Sequence, residues 1–249
     1  GCAMGMVGTD VAKETADVIL TDDNFATVVS AVEEGRRIYD NILKAIQFLL
    51  SSNIGEIVVL FIAILITPWI ASTFHIDVNL IVPLLPIHIL WINLVTDSLP
   101  ALALAVDPAE KDVMNRKPVD SKKGVFTKGR TWRVLYQGIM IGLITLAAFI
   151  IGLATPEQDL PVIEGLTPEE VRVEIGQTMA FVVLALSELV HVFNIRNNKK
   201  SVFKTGIFQN KQLLLAIAIS AALMFVILLI PGLRHIFSIP VLPTANIIE

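Results

Sequence analysis

Cysteine is almost absent: Cys2 is the single one in 249 residues. That excludes an intrachain disulfide framework and a cysteine-rich metal site. Charge is scarce too, with 17% of residues Asp, Glu, Lys or Arg against about a quarter in a typical soluble domain. A basic excess is missing, since the net charge is −4, and this argues against a nucleic-acid partner. No basic-then-apolar leader follows Gly1, so no signal peptide is expected and the chain reads as part of a longer polypeptide. What it has in abundance is apolar residues, 54% of the total, gathered into long runs.

A bilayer core of about 30 Å needs about 20 apolar residues per helix. Five runs qualify: Ile42 to Ile66, Pro86 to Val106, Val134 to Ala154, Ile175 to Phe193 and Leu213 to Ile230. As buried helices of a soluble protein they would need a polar shell that this sequence lacks. The expected fold is an all-α polytopic membrane helix bundle of five spans, preceded by a short α/β remnant.

The basic residues suggest an orientation. Lys13, Arg36, Arg37 and Lys44 precede or open the first span. Eight more, from Lys111 to Arg133, separate spans two and three, and Arg196, Lys199, Lys200, Lys204 and Lys211 separate spans four and five. Only Arg172 and Arg234 remain for the other side, where Glu157, Asp159, Glu164, Glu169, Glu170 and Glu174 make the loop acidic. The positive-inside rule then puts the N-terminus in the cytoplasm and the C-terminus outside.

The first forty residues have another pattern. A short helix is expected from Val11 to Ala16 after Thr9-Asp10, then an apolar run Val18-Ile19-Leu20, then Asp22-Asp23-Asn24 as the cap of a helix beginning near Phe25. A strand feeding a capped helix is an α/β signature. Residues 1–40 therefore read as the end of a cytoplasmic domain and the start of a stalk, and residues 41–249 as a transmembrane domain. A helix from Ile38 to Ile66 would be about 45 Å long, so its first turns should project beyond the bilayer.

Three carboxylates interrupt the apolar spans: Glu56, Asp97 and Glu188. Each costs about 2.5–3.5 kcal/mol at mid-membrane on insertion scales, so function is the default reading. Asn53 and Glu56 share one helix face, and Asn93, Thr96 and Asp97 share another. Pro100 lacks the N–H that would bond the carbonyl of Thr96, which marks an interrupted helix of the kind used for ion sites. Asn53, Glu56, Asn93, Thr96, Asp97 and Glu188 together approach the six to eight hard oxygens that Ca²⁺ takes. Ser51, Ser52, Ser98 and Ser187 are expected only to hydrogen-bond between helices. His191 beside Glu188 reads as a pairing partner, and Trp69, Trp91 and Trp132 as interface anchors or packing.

Two runs carry a family resemblance. Ser51-Ser52-Asn53-Ile54-Gly55-Glu56 and Asn93-Leu94-Val95-Thr96-Asp97-Ser98-Leu99-Pro100 resemble the ion-binding helices of P-type cation-transporting ATPases, most closely calcium pumps of the sarco/endoplasmic-reticulum type and their bacterial relatives. Asp22 through Arg36 resembles the exit from that family's phosphorylation domain, and Gly1 to Gly5 its last strand. The resemblance implies that the five spans correspond to the fifth to ninth of ten. It implies cation ligands at Asn53, Glu56, Asn93, Thr96 and Asp97, with Glu188 resembling the ligand of the eighth helix. Asn93, in place of Asp, is more similar to calcium pumps than to sodium/potassium pumps.

The function that the resemblance implies is that of a membrane-embedded half of an ATP-driven pump that exports Ca²⁺, with protons returning on the emptied carboxylates. The alternatives are a P-type pump for Na⁺ or Mn²⁺, a secondary transporter or channel, and a non-transporting anchor. ATP and Mg²⁺ would act only in the full-length protein, because no Asp-Lys-Thr-Gly or Gly-Asp-Gly motif occurs here. The expected partners are the cation, the lipid bilayer, in a bacterial plasma membrane, and the N-terminal part of the same polypeptide.

Overall fold

A computed structural model describes residues 1–110, 112–118, 124, 126–196 and 210–240. Of the basic residues that suggest the orientation, Lys111, Lys122, Lys123, Lys199, Lys200 and Lys204 lie outside the described residues.

The N-terminal segment forms strand β1 (Cys2–Met4), helix α1 (Asp10–Thr15) and strand β2 (Val18–Leu20), with the strands parallel and Ala3 opposite Ile19. Thr9 caps α1 by accepting from the Ala12 amide. The opening strand is followed by a second one, so it is not the last. Asp23 adopts a left-handed backbone, with φ of 50°, and its carboxylate accepts the amides of Met6 and Val7 at 2.8 and 2.9 Å. Those bonds hold the Asp23 carboxyl below its usual range, led by the bond from Met6. The acidic turn thus ties β1 to the next helix, and the local cap is Asn24, whose side-chain oxygen accepts the Ala26 amide at 3.0 Å.

Helix α2 (Ala26–Phe74) then runs unbroken for 49 residues, about 73 Å at 1.5 Å per residue. It is longer at both ends than the Ile38–Ile66 expectation. Pro68 sits inside it without ending it, as membrane helices permit, and the Thr67 hydroxyl donates to the Ala63 carbonyl at 2.8 Å in the turn above. His75 closes the helix in the left-handed region.

The second span is interrupted. It comprises helix α3 (Pro86–Trp91), a wide π turn at Ile92–Thr96 and helix α4 (Ser98–Ala105). The break therefore lies one turn upstream of where Pro100 alone would put it. The Asp97 amide reaches back five residues to the Ile92 carbonyl at 2.9 Å. Ser98 caps the widened turn, its hydroxyl donating to the Asn93 carbonyl at 3.0 Å. This bond lies within the span, whereas the sequence suggests one between helices.

Helices α5 (Lys128–Leu153), α6 (Pro168–Arg196) and α7 (Lys211–Leu229), with the short α8 (Pro231–Ile236), complete the described chain. Among the described residues five helical segments are long and apolar enough to cross a membrane, the second being the interrupted α3–α4 unit. Glycine sets their closest approaches: a Cβ on Gly152 would fall 2.5 Å from the Gly176 Cα, and one on Gly142 2.8 Å from the Gly55 carbonyl oxygen. Helices α2, α5 and α6 are thereby packed side by side.

Candidate functional site

The π turn positions the site. It places Thr96 and Asp97 toward the bundle interior, where both are buried, at 1% and 0% exposed. Glu56 on α2 and Glu188 on α6 are buried beside them. The carboxyl groups of Asp97 and Glu188 are immediate neighbours, Ser52 stands next to both, and Glu56 is close enough to repel both electrostatically. Three helical segments more than 30 residues apart in sequence thus converge on one polar locus.

Its polar atoms fall into two groups. Glu56 is occupied: the Asn93 amide donates to its two carboxylate oxygens at 2.8 and 3.1 Å, and also to the Ile89 carbonyl at 3.0 Å. By contrast, both oxygens of Asp97, both of Glu188, and the hydroxyls of Thr96 and Ser52 are buried without a hydrogen-bond partner. Buried polar groups are nearly always bonded, so each exception calls for an explanation. Four of these six oxygens are carboxylate oxygens and two are hydroxyls, all hard oxygens of the chemistry that a hard cation satisfies. Among the described residues no three His, Cys, Asp or Glu side chains are gathered closely enough to hold a metal ion; the carboxylates are neighbours, with no closed cage. Asn53, one turn from Glu56, is half-buried, and no hydrogen bond among the described residues ties it to these carboxyl groups.

Ser52 agrees with the sequence expectation of a bond between helices and adds to it, since from α2 it meets the very carboxyl groups of Asp97 and Glu188. Its spacing carries the signal, because Ser52 and Glu56 are four residues apart and share a helix face. Ser51 does bridge helices: its hydroxyl donates to the Gln47 and Phe48 carbonyls, and His191 Nε2 of α6 lies 3.1 Å away.

A second buried polar assembly closes one end of the bundle. Asp107, 3% exposed, lies at the end of α4. One carboxylate oxygen accepts Arg196 Nε of α6 at 3.0 Å and Asn210 Nδ2 ahead of α7 at 2.9 Å, and the other accepts Lys44 Nζ of α2 at 3.3 Å. Asn41 adds a bond from α2 to the Asp107 carbonyl at 2.7 Å. One turn higher, Arg36 donates to the carbonyls of Val113 and Arg116 at 2.9 Å each. Lys44 and Arg196, which the sequence presents as surface charges, are therefore buried ion-pair partners.

Residues 81–248 match the family model described as "Cation transporting ATPase, C-terminus". The chain belongs to that family. The calcium-transporting ATPase 1 of Bacillus cereus (strain ATCC 10987 / NRS 248) is 49% identical over 96% of this chain and 26% of its own length. The calcium-transporting ATPase of Bacillus subtilis (strain 168) is 45% identical over 95% of this chain and 24% of its own. The chain thus spans about a quarter of the length of these relatives. With its five apolar helices, this member of the cation-transporting ATPase family is an integral membrane protein that forms the C-terminal part of a longer polypeptide.

Proposed function

We propose that this chain is the ion-binding membrane half of an ATP-driven Ca²⁺ pump of a bacterial plasma membrane. The observation that carries the reading is the cluster of unsatisfied oxygens on Asp97, Glu188 and Thr96, next to Glu56 and Asn93. Its cation ligands are Asn53, Glu56, Asn93, Thr96, Asp97 and Glu188, with Ser52 adjoining. Two carboxyl groups buried side by side, with the Ser52 hydroxyl next to both, can ionise together only at a cost that a divalent cation offsets. The Asn93 amide holds Glu56 in place beside them, and the π turn interrupts the span at this level, as in other broken-helix ion sites. Calcium-transporting relatives at 45–49% identity support Ca²⁺ over Na⁺ or Mn²⁺.

In this proposal ATP and Mg²⁺ act on the upstream part of the polypeptide. Residues 1–40 end its phosphorylation domain and 41–249 form the transport domain. Because α2 runs through both, a tilt of its outer half is transmitted to Glu56. Protons replace Ca²⁺ on the carboxylates during the return step. The test is ATP-driven uptake of radioactive Ca²⁺ by inverted vesicles that carry the full-length protein. Uptake should exceed that of vesicles lacking it and should persist in a large excess of Na⁺; uptake no greater than the control would reject the pump.

The N-terminus is cytoplasmic in this reading and the end of the fifth span is outside. Lys128 and Lys211 are exposed at the starts of α5 and α7. A membrane-impermeant amine reagent should modify both only from the cytoplasmic face. Modification of either in intact, sealed cells would reverse the orientation.

A further inference from the structure

The break at Ile92–Thr96 leaves the second span as two short helices that must be held separately. The inner one, α4, runs into Asp107 and its bonds from Lys44, Arg196 and Asn210. The outer one, α3, has six residues, too few to be stable without tertiary contacts. Its placement bears on the ion cluster, because the Ile89 carbonyl and the Glu56 carboxylate share the Asn93 amide. A shift of α3 therefore moves Asn93 against Glu56.

His88, the third residue of α3, is fully buried. Its Nδ1 accepts the amide of Leu85, the residue that caps the helix, at 3.3 Å. Glu or Gln takes that part in a capping box. Its Nε2 lies 2.8 Å from the carbonyl of Phe237, just beyond α8. An amide only donates and a carbonyl only accepts, so the two partners assign one form of the ring: neutral, with its proton on Nε2. The ring stacks on Phe181 of α6, with centroids 4.5 Å apart and planes 15° apart, and more loosely on Phe237 at 6.1 Å. Trp91, one turn on, meets Phe237 edge-on at 5.6 Å. Gln177 of α6 also donates to the Val82 carbonyl at 2.8 Å, but that bond lies ahead of α3 and leaves the helix itself to His88.

We infer that His88 is a positioning residue of the ion cluster: it fastens α3 to the segment after the fifth span and so sets the Asn93 amide against Glu56. Its effect on Ca²⁺ rests on the pump reading above, whereas the anchor itself does not. Phe237, which brings no ligand, thereby gains a part in ion binding through its backbone carbonyl.

Two measurements on the full-length protein test this: equilibrium binding of radioactive Ca²⁺, and hydrogen exchange of residues 85–93 read by mass spectrometry. His88→Leu keeps bulk but neither bond, and leaves a buried amide and a buried carbonyl unpaired. It should speed exchange of this segment about ten-fold and raise the half-saturating Ca²⁺ about ten-fold, about 1.4 kcal/mol. His88→Gln carries both an acceptor and a donor and should restore both readouts to near wild type. His235→Gln, on the exposed side of α8, should match wild type in both. If His88→Leu does not fold, His88→Asn, too short to meet Leu85 and Phe237 together, carries the same expectation. Unchanged exchange in the foldable variant would overturn the anchor, and faster exchange with a wild-type Ca²⁺ curve would overturn the positioning role. Equal losses in His88→Gln and His88→Leu would overturn the hydrogen-bond assignment. Wild-type protein that binds no Ca²⁺, beside a variant that exchanges faster, would reject the pump reading and uphold the anchor.

Discussion

Asp97→Asn in the full-length protein is expected to abolish Ca²⁺-dependent phosphoenzyme formation from ATP while expression and membrane insertion stay normal. Asp97 is fully buried, with the Glu188 carboxyl and the Ser52 hydroxyl as its polar neighbours. Asn preserves the shape and one oxygen but removes the negative charge, and it introduces an amide donor toward Glu188. A divalent cation needs the charge more than the oxygen, so the Ca²⁺ dependence should move by at least 100-fold, about 2.7 kcal/mol. Ser187→Ala, beside Glu188 in sequence but only half-buried, should leave the dependence unchanged. Phosphoenzyme measured against free Ca²⁺ for the three proteins separates the outcomes: a wild-type curve for Asp97→Asn would remove Asp97 from the ligand set.

Asp107→Ala carries the largest expected loss of stability. Three donors from three helices end on this one carboxylate, and the cations Lys44 and Arg196 are both 8% exposed in their side chains. With the carboxylate gone, Lys44 is left among the described residues with Glu110 at 3.8 Å, and Arg196 loses this pairing. Removing one partner from a buried ion pair costs about 3–5 kcal/mol, which corresponds to a fall in unfolding temperature on the order of 10 °C. Asp107→Asn should lie between, since it keeps an acceptor. Thermal unfolding of the detergent-purified full-length protein reads both. A midpoint for Asp107→Ala within about 1 °C of wild type would mean that the assembly does not hold the helix ends together.

The spans are legible in the sequence because a bilayer imposes length and apolarity on each helix separately. Glu56, Asp97 and Glu188 stand out for the same reason, as charges where lipid penalises them. The pairing of Asn93 with Glu56 is half visible: each residue's helix face can be read from spacing, but which faces meet is a property of packing. The π turn at Ile92–Thr96 is hidden, because it depends on Ser98 capping a backbone carbonyl that no pattern of apolar residues reports. Pro68 lies exposed inside α2 without ending it, a tolerance that helix propensities measured in water do not report. Asp107 is silent in the sequence because its partners lie 63, 89 and 103 residues away. Without those partners in view, Lys44 and Arg196 count only as positive charge near a membrane surface.

Equilibrium binding of radioactive Ca²⁺ to the full-length protein in membranes, without ATP and in excess Mg²⁺, tests the carboxylate cluster most directly. Wild-type protein should bind Ca²⁺ saturably, and both Asp97→Asn and Glu188→Gln should lose that binding while remaining folded. Wild-type stoichiometry and affinity in both variants would contradict the account, because the unsatisfied oxygens of Asp97 and Glu188 would then hold no cation.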